Sequence, residues 1–138
     1  MKLMCAEKMI ELVAPGATAE ALARKNFGVI ADRLGEDLTE FYDSVKKGFF
    51  QQTEILADGK PAYMIFWHFT DQKSLHVNAA VSLDMTADNF DVLMRAVDML
   101  AARLKANAIG FHTARRGLLL KVEKFGYRVE NLQVFKQL

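Results

Sequence analysis

The sequence predicts an α/β (α+β) domain in which helices cover both faces of a mixed β-sheet. Apolar residues recur at helical spacing in the first third of the chain, alternate with a period of two in the middle third, and return to helical spacing over residues 86–105. The end of the chain then predicts a strand, a helix and a further strand. Consecutive antiparallel strands followed by strand–helix–strand units are typical of a mixed sheet.

The composition narrows the class of protein. With 138 residues, of which 51% are hydrophobic and 25% charged, we expect residues 1–138 to form a single domain. The formal net charge is +1 and its signs are interspersed, which favours neither a nucleic acid nor an anionic membrane as a partner. One cysteine, Cys5, allows no internal disulfide, and no secretory signal or apolar run of about 20 residues is visible, so we expect a cytoplasmic protein.

Residues 1–47 are predicted to be helical. The best helical stripe is Leu38, Phe41, Tyr42 and Val45, at positions i, i+3, i+4 and i+7. Apolar residues of the opening segment, Lys2 to Val13, also fit helical spacing better than alternate spacing. We therefore expect that segment to be a helix packed across the sheet or against a partner subunit.

Residues 48–83 are predicted to form a three-stranded antiparallel meander. Asp58-Gly59 supplies the tight turn of the first hairpin, and a second turn lies between Thr70 and Ser74. A turn symmetric about Gln72 would pair Trp67 with Val77, Ile65 with Ala79 and His68 with His76. One face would then be apolar: Tyr63, Ile65, Trp67, Phe69, Leu75, Val77, Ala79, Val81 and Leu83. The opposite face would be mixed: Met64, Phe66, His68, His76, Asn78, Ala80 and Ser82.

The longest helix is predicted over residues 86–105, with Thr86 as its N-cap and an apolar stripe from Phe90 to Leu104. Residues 108–138 follow as strand, helix and strand. The closing helix should end at Gly126, because glycine adopts the left-handed cap conformation at low cost, and the segment after it alternates like one strand.

The closing helix ends with Val122-Glu123-Lys124-Phe125-Gly126-Tyr127. This string resembles the Tyr-Glu-Lys-x-Gly-Phe that ends a helix in the GCN5-related N-acetyltransferase (GNAT) superfamily, and the predicted element order resembles that fold from its second strand onward. The resemblance implies the acyl-CoA N-acyltransferase fold and acetyl-CoA as cofactor. Val122 occupies the position of the tyrosine that serves many of these enzymes as general acid.

The resemblance also implies where coenzyme A would bind. Its pyrophosphate would lie at the N-terminus of the long helix, so the cofactor-binding residues would be Val81, Leu83, Thr86, Ala87, Asp88 and Asn89. This segment has no glycine and no basic residue, however, and Asp84 and Asp88 place carboxylates where phosphates would need to lie. The alternative is a self-capped helix that binds no phosphate, in which case acetyl-CoA should bind weakly or not at all.

The candidate catalytic residues are His76 and His112, which the resemblance places on the two strands that separate beside pantetheine. A neutral histidine could take a proton from an ammonium substrate. In the alternative interpretation, His76 pairs with His68 and both make ordinary hydrogen bonds beneath a helix. Three histidines without suitably spaced cysteines or carboxylates predict no metal site.

Two classes of function remain open. The first is an acyl-CoA-dependent N-acetyltransferase that acts on a small amine or a protein amine. The second is a non-catalytic protein of the same fold, with a binding or assembly role and an unidentified protein partner, similar to GNAT-like domains of bacteriophages and prophages that lack the phosphate loop and the tyrosine. Seven methionines and several aromatic residues leave enough apolar surface for a homodimer.

Overall fold

A computed structural model describes residues 2–5, 8–34, 38–112, 124–130 and 133–138. Within these ranges, only the backbone is described for residues 2–5, 28–34, 38, 112, 129–130 and 133–135. Val122 and most of the predicted closing helix lie outside the described residues, and the last positions of that prediction, residues 124–126, form a turn.

Three helices and eight strands are described, in an order close to that predicted. The helices are α1 (Ala17–Leu34), α2 (Leu38–Lys46) and α3 (Phe90–Leu104). The strands are β1 (Lys2–Cys5), β2 (Lys8–Val13), β3 (Gln51–Ala57), β4 (Lys60–Phe69), β5 (Ser74–Ser82), β6 (Ala108–His112), β7 (Arg128–Glu130) and β8 (Gln133–Gln137). No helix in the described ranges is long and apolar enough to cross a membrane.

All eight strands belong to one mixed sheet with the order β1-β2-β3-β4-β5-β6-β8-β7. Neighbouring strands are antiparallel except β5 and β6, which are parallel and joined by α3 as a crossover. Helix α3 packs over β2, β3 and β4, and α1 packs over β4 and β5. Two separate apolar clusters cover the two faces, which confirms the predicted fold class.

The prediction of a helix over Lys2 to Val13 is wrong. This segment forms β1 and β2, an antiparallel pair that adds to the edge of β3, with Ile10 opposite Ala57. Ile10 is completely buried in the cluster beneath α3. Strand pairing with β3 satisfies the backbone groups of that edge, and this tertiary interaction outweighs the helical spacing of the apolar side chains.

The predicted pairing of β4 with β5 is correct at the turn and wrong beyond it. Trp67 lies opposite Val77 and His68 opposite His76, as predicted, but Ile65 lies opposite Ala80 and Phe66 opposite Ala79. A β-bulge leaves Asn78 without a partner on β4. Each residue of β5 after Asn78 therefore points to the face opposite to the predicted one.

The bulge divides the predicted apolar face between two cores. Leu75 and Val77 are buried beneath α3, whereas Val81 and Leu83 are buried beneath α1 and α2. The face predicted to be mixed is also a core face, because Met64 and Phe66 are completely buried there. Its covering residues include Ala19, Ala23 and Phe27 of α1 and Phe41 and Tyr42 of α2.

The ends of the later elements also differ from the prediction. Helix α3 has Asn89 as its N-cap and not Thr86, because Thr86 is held in a turn in which its N–H and hydroxyl both bond the Asp84 carboxylate. Its last residue is Leu104, and the C-cap, Lys105, adopts the left-handed conformation with φ 56. The single strand predicted after Gly126 is instead an antiparallel pair, β7 and β8.

Candidate functional site

The candidate site is the opening between the parallel strands β5 and β6. Their pairing begins at Ser74 with Ala108 and ends at Val77 with Phe111. Strand β5 continues to Ser82, and within the described ranges this second half has no strand neighbour on the β6 side. The resemblance to the GNAT fold implied this separation, because it places His76 and His112 on two strands that separate.

The bulge at Asn78 coincides with the point where β5 and β6 separate. Asn78 has no strand partner on β4, and among the described residues it has none on β6. The regular pairing of β5 is therefore interrupted on both sides at this residue. Bulges beside a gap in a sheet offer backbone groups to a ligand, so this position can bind a polar group that enters the opening.

His68, His76 and Asn78 form a cluster on the face of the sheet that α1 and α2 cover. The His68 Nδ1 atom lies 2.7 Å from the Asn78 Oδ1 atom. Because the amide oxygen can only accept, Nδ1 of His68 carries the proton in this hydrogen bond. The His68 ring stacks on Phe50 at a centroid distance of 5.7 Å and lies 5.2 Å from the His76 ring.

The two predicted catalytic histidines lie on neighbouring strands. His76 is half-buried and opposite Gly110 of β6, and His112 is the last residue of that strand, two positions farther towards the opening. Only the backbone of His112 is described. His68 and His76 lie opposite each other, as predicted. The hydrogen bond from His68 to Asn78 agrees with the alternative interpretation, in which His68 makes an ordinary hydrogen bond beneath a helix.

Side chains of the same chain hydrogen-bond to polar groups at and just before the N-terminus of α3. Asp84 Oδ1 accepts from the Thr86 N–H over 3.0 Å and from the Thr86 hydroxyl over 2.6 Å, and Asp88 Oδ1 accepts from the Phe90 N–H over 3.2 Å. The Lys8 ammonium donates to the side-chain oxygen of Asn89 over 2.9 Å.

The charge at this helix end is mixed. The Thr86 side-chain and backbone hydrogen bonds, with smaller contributions from Lys60 and Lys8, lower the pKa of Asp84. Asp84 therefore stays ionised near neutral pH. The carboxylate of Asp88 already accepts a hydrogen bond from the Phe90 N–H at the start of the helix. This helix end therefore fits the predicted self-capped helix better than a pyrophosphate site.

The predicted cofactor-binding residues do not share one surface. Val81 and Leu83 are buried in the core beneath α1, because the bulge turns them to that face. Asn89 is buried and bonded to Lys8. Thr86, Ala87 and Asp88 are exposed. Only these three could contact a large ligand without a rearrangement.

Sequence reasoning missed Lys8 and the particular role of Asn78. A polar residue between Val77 and Ala79 in an apolar strand was a signal for Asn78. Lys8 carried no signal, because it lies 81 positions from Asn89 in the sequence.

Tyr127 is a tyrosine that the structure places near β6, and it is a candidate proton donor because Val122 has no proton to give. Its ring packs edge-on against Phe111 at a centroid distance of 5.6 Å, and its buried hydroxyl has no hydrogen-bond partner among the described residues. Burial raises the pKa of Tyr127, and the charge of Asp98 raises it further. A phenol with a raised pKa donates its proton less readily, so this position does not replace the missing general acid.

Comparisons with solved structures find the same fold in known acetyltransferases. The PaiA N-acetyltransferase from Thermoplasma acidophilum in complex with coenzyme A superposes with a TM-score of 0.64 at 11% identity, over 94% of this chain and 99% of that chain. A GNAT-family acetyltransferase from Brucella melitensis in complex with acetyl-CoA has a TM-score of 0.64 at 8% identity, over 93% and 87%. A GNAT-family acetyltransferase from Listeria monocytogenes has a TM-score of 0.68 at 8% identity, over 100% of each chain.

No protein-family model matches the sequence, and no curated protein matches it either. The similarity therefore lies in the fold: this chain has the mixed sheet and crossover of the GNAT acetyltransferases.

Proposed function

We propose that this chain is a divergent GNAT-type protein that transfers an acetyl group from acetyl-CoA to an amine, either a small molecule or an amine of a protein. The observation that carries the proposal is the opening between β5 and β6, where parallel pairing ends at Val77 and the bulge leaves Asn78 unpaired. Solved neighbours with this fold are complexes with coenzyme A and with acetyl-CoA, which supports the same choice of cofactor here.

Acetyl-CoA, when bound, would supply an acetyl group activated as a thioester. The residues of this chain would bind it at the opening, through the backbone of Asn78 and the exposed Thr86, Ala87 and Asp88. Neutral His76 would accept the proton of an ammonium substrate at its imidazole, and His112 is the second candidate for that role. The pyrophosphate would be held weakly, because Asp84 and Asp88 face it.

A second candidate function is favoured by the end of α3. Asp88 bonds the Phe90 N–H that a phosphate would use, so the fold could serve binding or assembly without coenzyme A. This is the role that the resemblance to phage and prophage domains implies. In this case the partner is an unidentified protein, and a homodimer in the cytoplasm is part of the proposal.

Calorimetric titration of the protein with acetyl-CoA separates the two candidates. A dissociation constant at micromolar levels or below supports the acetyltransferase, and His76→Ala and His112→Ala would then show which histidine acts as the base. Absence of any binding heat at acetyl-CoA concentrations up to the millimolar range overturns the proposal of an acetyltransferase and supports the non-catalytic function.

A further inference from the structure

We infer that copies of this chain associate end to end. A basic end of one copy, formed by residues 46–51, 69–74 and 105–108, binds the acidic end of another copy, formed by residues 58–60 and 84–91. The inference rests on the self-association that the second candidate function includes, and it specifies which surfaces meet. It does not require bound acetyl-CoA.

The basic end is one continuous edge of the sheet, where β3, β5 and β6 begin and β4 ends. Backbone hydrogen bonds hold its loops together. The Asn107 N–H donates to the Lys73 carbonyl over 2.8 Å, and the Leu138 N–H donates to the Asn107 carbonyl over 2.7 Å. A surface fixed in this way loses little conformational entropy when a partner binds.

Most of the exposed apolar surface lies at this end. Four large apolar side chains are exposed among the residues whose side chains are described, and three of them are here: Phe49 before β3, Phe69 at the end of β4 and Leu138 after β8. Their exposed fractions are 69%, 38% and 54%. Apolar side chains gathered at one place and bordered by polar residues are typical of a contact surface.

The charge of this end selects the kind of partner. Its charged residues, all of them exposed, are Lys46, Lys47, Asp71, Lys73 and Lys105. Four lysines and one aspartate give a net charge of +3. Two copies joined symmetrically through this end would bring like charges together, so the surface that binds here should be acidic.

The fourth exposed apolar side chain, Met85, lies at the acidic end and is 55% exposed. The charged residues of this end are Asp58, Lys60, Asp84, Asp88 and Asp91. Lys8 lies beside them, bonded to Asn89. Four carboxylates and two ammonium groups give this end a net charge of −2. Its charge and its exposed apolar side chain therefore complement those of the basic end.

The two ends lie on opposite sides of the molecule. Helix α3 runs from the acidic end to the basic end, and its 15 residues span about 22 Å. A pair of copies joined in this way leaves one basic end and one acidic end free. Association that begins with a dimer should therefore continue into a ring or a filament as the protein concentration rises.

Sedimentation velocity of the wild-type protein at increasing concentration is the first measurement. The average mass should pass that of two copies. Because charge complementarity contributes to the contact, raising the ionic strength about tenfold should weaken the association by about tenfold.

Two double variants, each defective at one end, make the decisive test. The basic-end variant combines Phe49→Ser with Lys47→Glu, and the acidic-end variant combines Met85→Ser with Asp91→Lys. Each should be monomeric by itself, with association weakened about 100-fold. An equal mixture retains one intact end of each kind and should form a complex of two copies and no larger one.

Lys25→Glu, at an exposed position of α1, is the control for charge reversal and should associate as the wild type does. Circular dichroism of each variant shows whether the fold is retained.

A mixture of the two variants that stays monomeric, at concentrations where the wild type associates, would overturn the inference. Wild-type association that stops at two copies would also overturn it, because a symmetric contact through one surface gives that result. Wild-type protein that is monomeric at every concentration would overturn this inference and the proposed self-association together. None of these outcomes affects the acetyltransferase proposal, which the titration with acetyl-CoA decides separately.

Discussion

The ammonium group of Lys8 donates a hydrogen bond to the side-chain oxygen of Asn89 over 2.9 Å and thereby joins the start of β2 to the N-cap of α3. Asn89 is 6% exposed, so its oxygen has little access to water. Its side chain makes no capping bond to the helix backbone. The interaction connects two elements that meet only in the folded chain.

Replacement of Lys8 by methionine should destabilise the protein. The buried oxygen of Asn89 would lose its donor, and a hydrogen bond to a charged group of this kind contributes about 1 to 2 kcal/mol. Urea unfolding followed by circular dichroism measures the loss. Lys60→Met is the matched control, because it removes a lysine near Asp84 that makes no such bond to another described residue. Equal losses in the two variants would contradict the prediction.

Replacement of Asp88 by asparagine should tighten the binding of acetyl-CoA. The amide oxygen can still accept from the Phe90 N–H, whereas the negative charge that opposes the pyrophosphate is removed. Screened repulsion of this size predicts a dissociation constant lower by about three- to fivefold in calorimetry. Asp71→Asn, in the turn between β4 and β5, controls for the change in net charge. The same gain in both variants would show that the phosphates do not approach Asp88.

Tyr127→Phe should change how stability depends on alkaline pH. Burial, with a smaller contribution from Asp98, raises the pKa of Tyr127 above its ordinary value of 10.0. The unfolded chain therefore loses this proton first, so the contribution of Tyr127 is fully present below pH 10.0 and is lost as the pH rises towards the folded value.

The phenylalanine variant has no phenol to ionise, so its unfolding free energy should fall less than that of wild type between about pH 9 and pH 11. At neutral pH the two proteins should differ by less than about 1 kcal/mol, since the hydroxyl makes no hydrogen bond among the described residues. Parallel pH curves for wild type and variant would count against the raised pKa.

Light scattering should show a dimer if the exposed apolar side chains form an interface between copies of this chain. Phe49 is 69% exposed and Met85 55% exposed, so both side chains are accessible to a second copy of the chain. Phe49→Ser and Met85→Ser should then each lower the dimer population at micromolar protein. A monomer at every concentration measured would end the dimer proposal.

Local sequence patterns predicted the central part of the fold. The alternation of apolar residues and the Asp58-Gly59 turn were sufficient for the β3–β4–β5 meander, and the stripe from Phe90 to Leu104 was sufficient for α3. The parallel pairing of β5 with β6 agrees with the long helix predicted between them, because a helical crossover brings the second strand back in the same direction. These features depend on residues that are neighbours in the sequence.

Long-range contacts decided the remainder. The strands β1 and β2 form because β2 pairs with the edge of β3. The bulge at Asn78 could not be recognised from the alternation of residues, because one inserted residue exchanges two faces of the sheet that are both apolar. The candidate site depends on the same kind of contact. His76 could be named from its strand, but the hydrogen bonds of His68 to Asn78 and of Lys8 to Asn89 exist only after separate elements pack together. A single sequence therefore specifies which side chains are available, and the packed sheet determines which of them meet.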